Sequence, residues 1–228
     1  MRLAMLTLAT LLAWAVAQTG QAQNVPATDA KEIEKAVNKA IEFLEKSQAP
    51  DGSFSKQTGP AVTALIATGV LRQGRPVTDP VVAKGLKFLE TFVQPDGGIC
   101  GAESKYKNYE TCLGIMAFSA ANKDGKYDKI LKDADKFVKA LQWDGEEGHD
   151  KSSNAFGGAG YGGSKRPDLS NTGFLIDALK ATGNAPDSEA MQKALIFVSR
   201  CQNLEGPNNT TPPAAKVNDG GFYYTAFG

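Results

Sequence analysis

The chain has 228 residues, 42% of them apolar, and its 25 basic residues balance its 25 acidic ones. A chain without a basic field has nothing to hold a phosphate backbone, which excludes nucleic acid as a partner. A single His and three Cys are too few soft ligands for a dedicated metal centre, so neither metal nor cofactor is expected.

The first element is a leader. Met1-Arg2 forms a short basic start, Leu3 to Val16 is apolar apart from Thr7 and Thr10, and Ala15-Val16-Ala17 gives a small-x-small cleavage pattern. The apolar run falls short of the roughly 20 residues that span a bilayer, so no stable membrane span is expected. Residues 1–22 therefore read as a signal peptide and 23–228 as one repeat domain of an exported protein, periplasmic or extracellular. N-terminal sequencing of the exported chain should find a start near Gln18, or slightly later around Gln23. Intact Met1-Arg2 recovered from the cytoplasm would contradict it.

Beyond the leader, Asp29 with Glu32 resembles a capping box, and Ile33, Val37, Ala40, Ile41 and Leu44 recur at helical spacing. Lys and Glu fill the opposite face, and Pro50-Asp51-Gly52 stops the helix. The next segment, Pro60 to about Leu71, has no charged face. The alternation then recurs. A helix around Phe88 ends at Gln94 and Asp96-Gly97, followed by the apolar Cys112–Ala121. A helix around Phe137 ends at Gln142 and Asp144-Gly145, followed by Gly173–Leu179. A last one around Phe197 ends at Gln202 and Gly206. The anchors Phe43, Phe88, Phe137 and Phe197 lie 45, 49 and 60 residues apart, a period that marks a repeat architecture. A one-striped helix covers, and a helix apolar all round is covered. The fold class is thus all-α, an α/α toroid of two concentric helix layers with each anchor Phe buried between an outer and an inner helix. The pattern stops at about three and a half repeats, where a fourth inner helix should follow Gly228. The domain is therefore expected to be truncated at its C-terminus, its edge covered by missing repeats or by self-association. Cys100 and Cys112 either close a short disulfide, leaving Cys201 odd, or all three are separate buried thiols.

The stretch from Trp143 to Ser170 is far longer than an ordinary helix connection. Tyr161, Arg166 and Asp168 put an aromatic, a cation and an anion just before an inner helix whose N-cap reads as Ser170 or Asn171. A helix N-terminus there could hold an anion such as a diphosphate; otherwise the glycines make tight turns and Arg166 pairs with Asp168. The loops ending in Asn108, Asn171 and Tyr224 occupy equivalent places, so repeat geometry should gather them at one mouth of the ring. Asp177 is the sole charge in the apolar heart of its helix. It either faces the cavity, with a raised pKa and a part in binding, or turns sideways to Lys180 or Lys165. Tyr161, Arg166, Asp168, Asn171 and Asp177 are the candidate ligand-binding residues. Their ligand would be small and part apolar, part anionic, with a peptide or a glycan as the other options.

Lys39-Ala40-x-x-Phe43-Leu44-x-x-x-Gln48-x-x-Asp51-Gly52-Ser53-Phe54 resembles the Gln-Trp repeat of squalene–hopene cyclases, with Phe in place of the favoured Trp. Lys193-Ala194-x-x-Phe197-Val198-x-x-x-Gln202 fits its first half. The run Gly157–Gly163 followed by Arg166–Thr172 also looks like exported bacterial members of the wider prenyltransferase and squalene oxidase repeat group. The resemblance covers roughly residues 33–228 and implies the toroid. Its chemistry does not transfer position by position. The nearest string to the cyclases' Asp-x-Asp-Asp acid motif is Asp133-Ala134-Asp135-Lys136, on an outer helix among lysines. The prenyltransferases' Asp, Cys and His zinc ligands have no counterpart around His149, the one His present. No thioester string is present, and paired carboxylates for glycan cleavage would have to come from Glu110, Asp168 and Asp177. Two functions follow: a noncatalytic binding module using the ring face or central cavity, or an isoprenoid- or lipid-related cyclase or transferase whose catalytic groups are unknown.

Overall fold

The computed structural model describes residues 30–145, 148–162, 166–211, 214 and 217–227. The leader and Asp29 lie outside them. The chain divides into two units, Met1–Asn38 and Lys39–Gly228. Of the first, only 30–38 are described, the opening turns of a helix, exposed as far as residue 36.

The described residues form seven α-helices: α1 (Ala30–Ser47), α2 (Ala61–Arg72), α3 (Pro80–Glu90), α4 (Lys107–Ala121), α5 (Asp128–Lys139), α6 (Leu169–Ala181) and α7 (Glu189–Cys201). No strand occurs among them. The apolar helices α2, α4 and α6 pack side by side as the inner layer. α3, α5 and α7 form the outer layer, and each rests chiefly on the inner helix that precedes it in the chain. α4, flanked on both sides, is buried from Glu110 to Phe118. This is the layered α/α toroid that the periodicity predicts.

Three hydrogen-bond and packing devices recur and fix the register. After each outer helix the chain turns at a left-handed glycine: Gly52 (φ 88°), Gly97 (φ 95°) and Gly157 (φ 83°). A Cβ there would lie 2.2, 2.5 and 1.8 Å from the backbone oxygens of Lys84, Asp133 and Lys193, so each turn presses on the next outer helix. Only glycine permits both the dihedral and the contact. Two residues on, the amides of Phe54, Ile99 and Ala159 donate to the hydroxyls of Thr63, Thr111 and Thr172 at 2.9, 3.1 and 3.0 Å. These threonines are therefore structurally equivalent. The Gln48 amide donates to the carbonyls of Gly52 and Val81, and that of Gln142 to those of Gly157 and Ala190, tying a turn to the following outer helix.

This register corrects three sequence-level equivalences. The third turn glycine is Gly157 rather than Gly145, because Gly157 closes directly back on the end of α5, its amide donating to the Trp143 carbonyl. The fourth is Gly220 rather than Gly206: Gln202 donates to its carbonyl, and Asp219 accepts from the Gly221 amide as Asp51 and Asp96 do from Ser53 and Gly98. Gln94 stands one place late and binds the Cys100 carbonyl within its own turn.

The anchor phenylalanines also divide. Phe88 and Phe197 are buried and Phe137 is half-buried, whereas Phe43 is 69% exposed. Phe137 and Phe197 lie over Gly98 and Gly158, the small residues that follow the preceding repeat's turn glycine. These two anchors thus pack on the repeat before their own, and no such turn precedes Phe43 among the described residues. All three cysteines are separate buried thiols. Burial pushes Cys100 up to about 11 and Cys201 to about 12.

Candidate functional site

The N-terminal ends of the three inner helices converge on one cavity of about 710 Å³. α2 and the turn before it contribute Gln57, Thr58, Ala61 and Val62; α4 contributes Tyr106, Tyr109 and Glu110; α6 contributes Ser170 and Phe174. Tyr161, from the long segment before α6, completes the wall. That segment is fastened over α4: the Asn108 amide donates to the Tyr161 carbonyl at 3.0 Å and its side chain to the Gly160 carbonyl at 2.9 Å. Tyr161 meets Tyr106 edge-on at 5.3 Å and Tyr109 at 6.1 Å, and Tyr109 meets Phe174 at 5.1 Å. These are favourable edge-to-face spacings, which hold the rings as one wall.

Glu110 is the charged group of the lining, and its residue is only 4% exposed. Its carboxylate accepts from the Gly101 amide at 3.1 Å and bonds Ser104. Burial nevertheless outweighs these bonds and raises its pKa, since the charged form loses water. Gly59 lies close against it, where a Cβ would stand 2.7 Å from Oε1.

Beside the cavity is a polar knot. Asp168 is the N-cap of α6, correcting Ser170 or Asn171: Oδ1 accepts from the Asn171 amide at 2.8 Å and Oδ2 from the Asn171 side chain at 2.8 Å. The two oxygens of the carboxyl group thus take one donor each, the backbone and the side chain of the same residue. Tyr224 bonds Asp168 as well, and burial together with that bond pushes its phenol up to about 12. Its carbonyl accepts from the Leu169 amide at 2.8 Å.

The structure thus gathers Tyr161, Asp168, Asn171, Asn108 and Tyr224 at one end of the inner layer. Register shifts one equivalence: Glu110, not Asn108, matches Asn171, because each directly precedes its register threonine. Arg166 is exposed and forms no ion pair with Asp168, whose oxygens are taken by Asn171 and Tyr224. Asp177 is exposed on the stripe of Ser170 and Phe174, one turn further along α6. Its charge reaches Cys112 and helps hold that buried thiol protonated. Lys165 lies outside the described residues.

Sequence reasoning passed over Tyr106, Tyr109 and Phe174 and weighed Glu110 only as half of a carboxylate pair. The available signal was an acid at the start of an otherwise apolar inner helix, flanked by aromatics.

Other chemistry-bearing residues are engaged elsewhere. Asp133 and Asp135 pair with Lys129 and Lys139 on the outer helix α5. His149 stacks on Trp143 at 4.5 Å and shares a hydrogen bond with Ser153. Among the described residues no three His, Cys, Asp or Glu side chains gather as metal ligands, and no helix is long and apolar enough to cross a membrane.

The family model described as squalene-hopene cyclase C-terminal domain matches residues 57–224. No curated protein matches the chain.

Proposed function

The chain belongs to the squalene–hopene cyclase C-terminal domain family, and from that premise we propose that it binds a small, mainly apolar ligand at the ring mouth without transforming it. The observation that carries this reading is the aromatic-walled cavity at the converging starts of α2, α4 and α6. Its volume suits a small molecule, and its lining combines several rings with a few polar groups, the usual make-up of a ligand site. The Asp133-Ala134-Asp135 string is engaged in ion pairs along the outer helix α5, away from the cavity. The cysteines are buried, with thiols pushed towards the protonated form. The leader pattern supports the further proposal that this binding occurs outside the cytoplasm.

Farnesol, a short isoprenoid alcohol, is a suitable probe, titrated into the full mature chain by intrinsic fluorescence. Joint replacement of Tyr161 and Phe174 by Ala should weaken binding by at least about tenfold, because two rings' worth of apolar contact is lost. An unchanged affinity in a folded double variant would remove the cavity as the site.

One observation favours a second reading, an isoprenoid- or lipid-directed cyclase or transferase. Glu110 is a buried carboxyl with a raised pKa in an aromatic cavity, which is where a proton donor would be placed. Incubation with squalene separates the two: a cyclised product that Glu110→Gln abolishes would establish catalysis, and its absence leaves binding.

A further inference from the structure

We propose that the aromatic mouth recognises an organic ammonium group carried on a short apolar body. The inference rests on the binding reading above and adds the sign of the ligand's charge. It stands on the juxtaposition of an aromatic wall with a buried, unpaired carboxyl.

The wall is the ring series Tyr106, Tyr161, Tyr109 and Phe174, in which neighbouring rings meet edge-on rather than face to face. In each pair one ring turns its edge to the other, and aromatic faces carry the negative lobe of the ring quadrupole, which attracts cations. Glu110 lines the same cavity, and none of the ion pairs among the described residues includes it. A carboxyl held in this way is costly to ionise, and burial raises its pKa accordingly. A ligand cation in the cavity would supply the counter-charge, stabilising the carboxylate and being stabilised by it. The other acid at this end, Asp168, is also buried and, among the described residues, also has no ion pair, and the Asn171 amide oxygen is buried with no donor among them. The mouth is rich in acceptors.

An anionic ligand finds less. Two of the helix-start amides are already taken, that of Asn171 by Asp168 and that of Asn108 by the Tyr161 carbonyl. Arg166 is exposed and does not line the cavity, nor does Lys107. The apolar body has its own place beside Ala61 and Val62. Leu65 extends that stripe one turn along α2 and is 52% exposed.

The test compares hexyltrimethylammonium, 1-hexanol and hexyl sulfate by calorimetry on the full mature chain, below any micelle concentration, with farnesol as the reference ligand. The ammonium should bind about tenfold tighter than the alcohol, and the sulfate weakest. Glu110→Gln should erase that preference by weakening the ammonium about tenfold. Should that variant fail to fold, Tyr109→Leu and Phe174→Leu serve instead, since each keeps apolar volume and removes a ring. Each should weaken the ammonium about fivefold and the alcohol much less. Equal affinities for the three probes, a preference for sulfate, or a preference that survives Glu110→Gln would overturn the cation assignment while farnesol binding stands. Failure of farnesol and all three probes to bind would overturn the binding reading itself, and the assignment with it.

Discussion

Replacing Gly157 by Ala should destabilise the protein by roughly 2–5 kcal/mol, combining a left-handed backbone forced on a residue with a Cβ and overpacking of a rigid contact. Gly157 has φ 83°, and its added methyl would fall 1.8 Å from the Lys193 carbonyl oxygen. That oxygen belongs to the backbone of α7, so no side-chain rotation relieves the clash. Either the turn must open, which breaks the Gln142 bond to the Gly157 carbonyl, or α7 must withdraw from α6. Gly173 is the control. It lies in α6 with nothing within 4 Å of its would-be Cβ, and Ala there should be neutral or stabilising by up to about 1 kcal/mol. Urea midpoints of the two variants check the pair. Equal midpoints would mean that the glycine turn does not hold the repeats together.

Phe197→Ala should cost about 3–5 kcal/mol, and Phe43→Ala should lie within about 0.5 kcal/mol of the parent. Phe197 has no exposed surface and stands over Gly158, where backbone prevents the cavity from collapsing. Phe43 occupies the same place in its own repeat but is 69% exposed. The comparison separates sequence equivalence from structural equivalence, and thermal unfolding of both variants decides it. A large loss for Phe43→Ala would show that its ring is covered in the working protein.

Much of the fold was legible because the signal was periodic. One-sided and all-round apolar helices alternate, and burial on a fixed stripe is what alternation encodes. The errors came where loops of unequal length interrupt the period. Asp144-Gly145 has the composition of a turn, yet Asp144 is drawn into an ion pair with Lys193, and the turn that repeats is Gly157. The mark it needed, a glycine facing the next helix's backbone, is a three-dimensional property. Gln94 looked equivalent to Gln48 until hydrogen bonding placed it one residue late.

The site was half legible. Tyr161, Asp168 and Asn171 stood out because they crowd the start of a helix, and they do meet there. Glu110, Tyr109 and Phe174 did not, because nothing short of the threonine register shows that Glu110 and Asn171 share one position. Arg166 misled for the opposite reason: adjacency to Asp168 in sequence suggested a pair, while the capping geometry turned that carboxylate towards α6.

Each outer helix rests on the inner helix before it, and the Gln and Gly ties run from a turn to the outer helix after it. The cooperative unit is therefore staggered against the sequence repeat, and the natural cut falls in the middle of each copy. Under stress α2 with α3, α4 with α5, and α6 with α7 should open as couples, because neighbour contacts dominate in stacked repeats. α1 has no inner partner ahead of it among the described residues and stands outside these couples. A damaged repeat would thus weaken its successor before itself, and any engineered insertion or duplication of repeats should be joined inside a copy, between its outer and inner helices, rather than at its apparent ends.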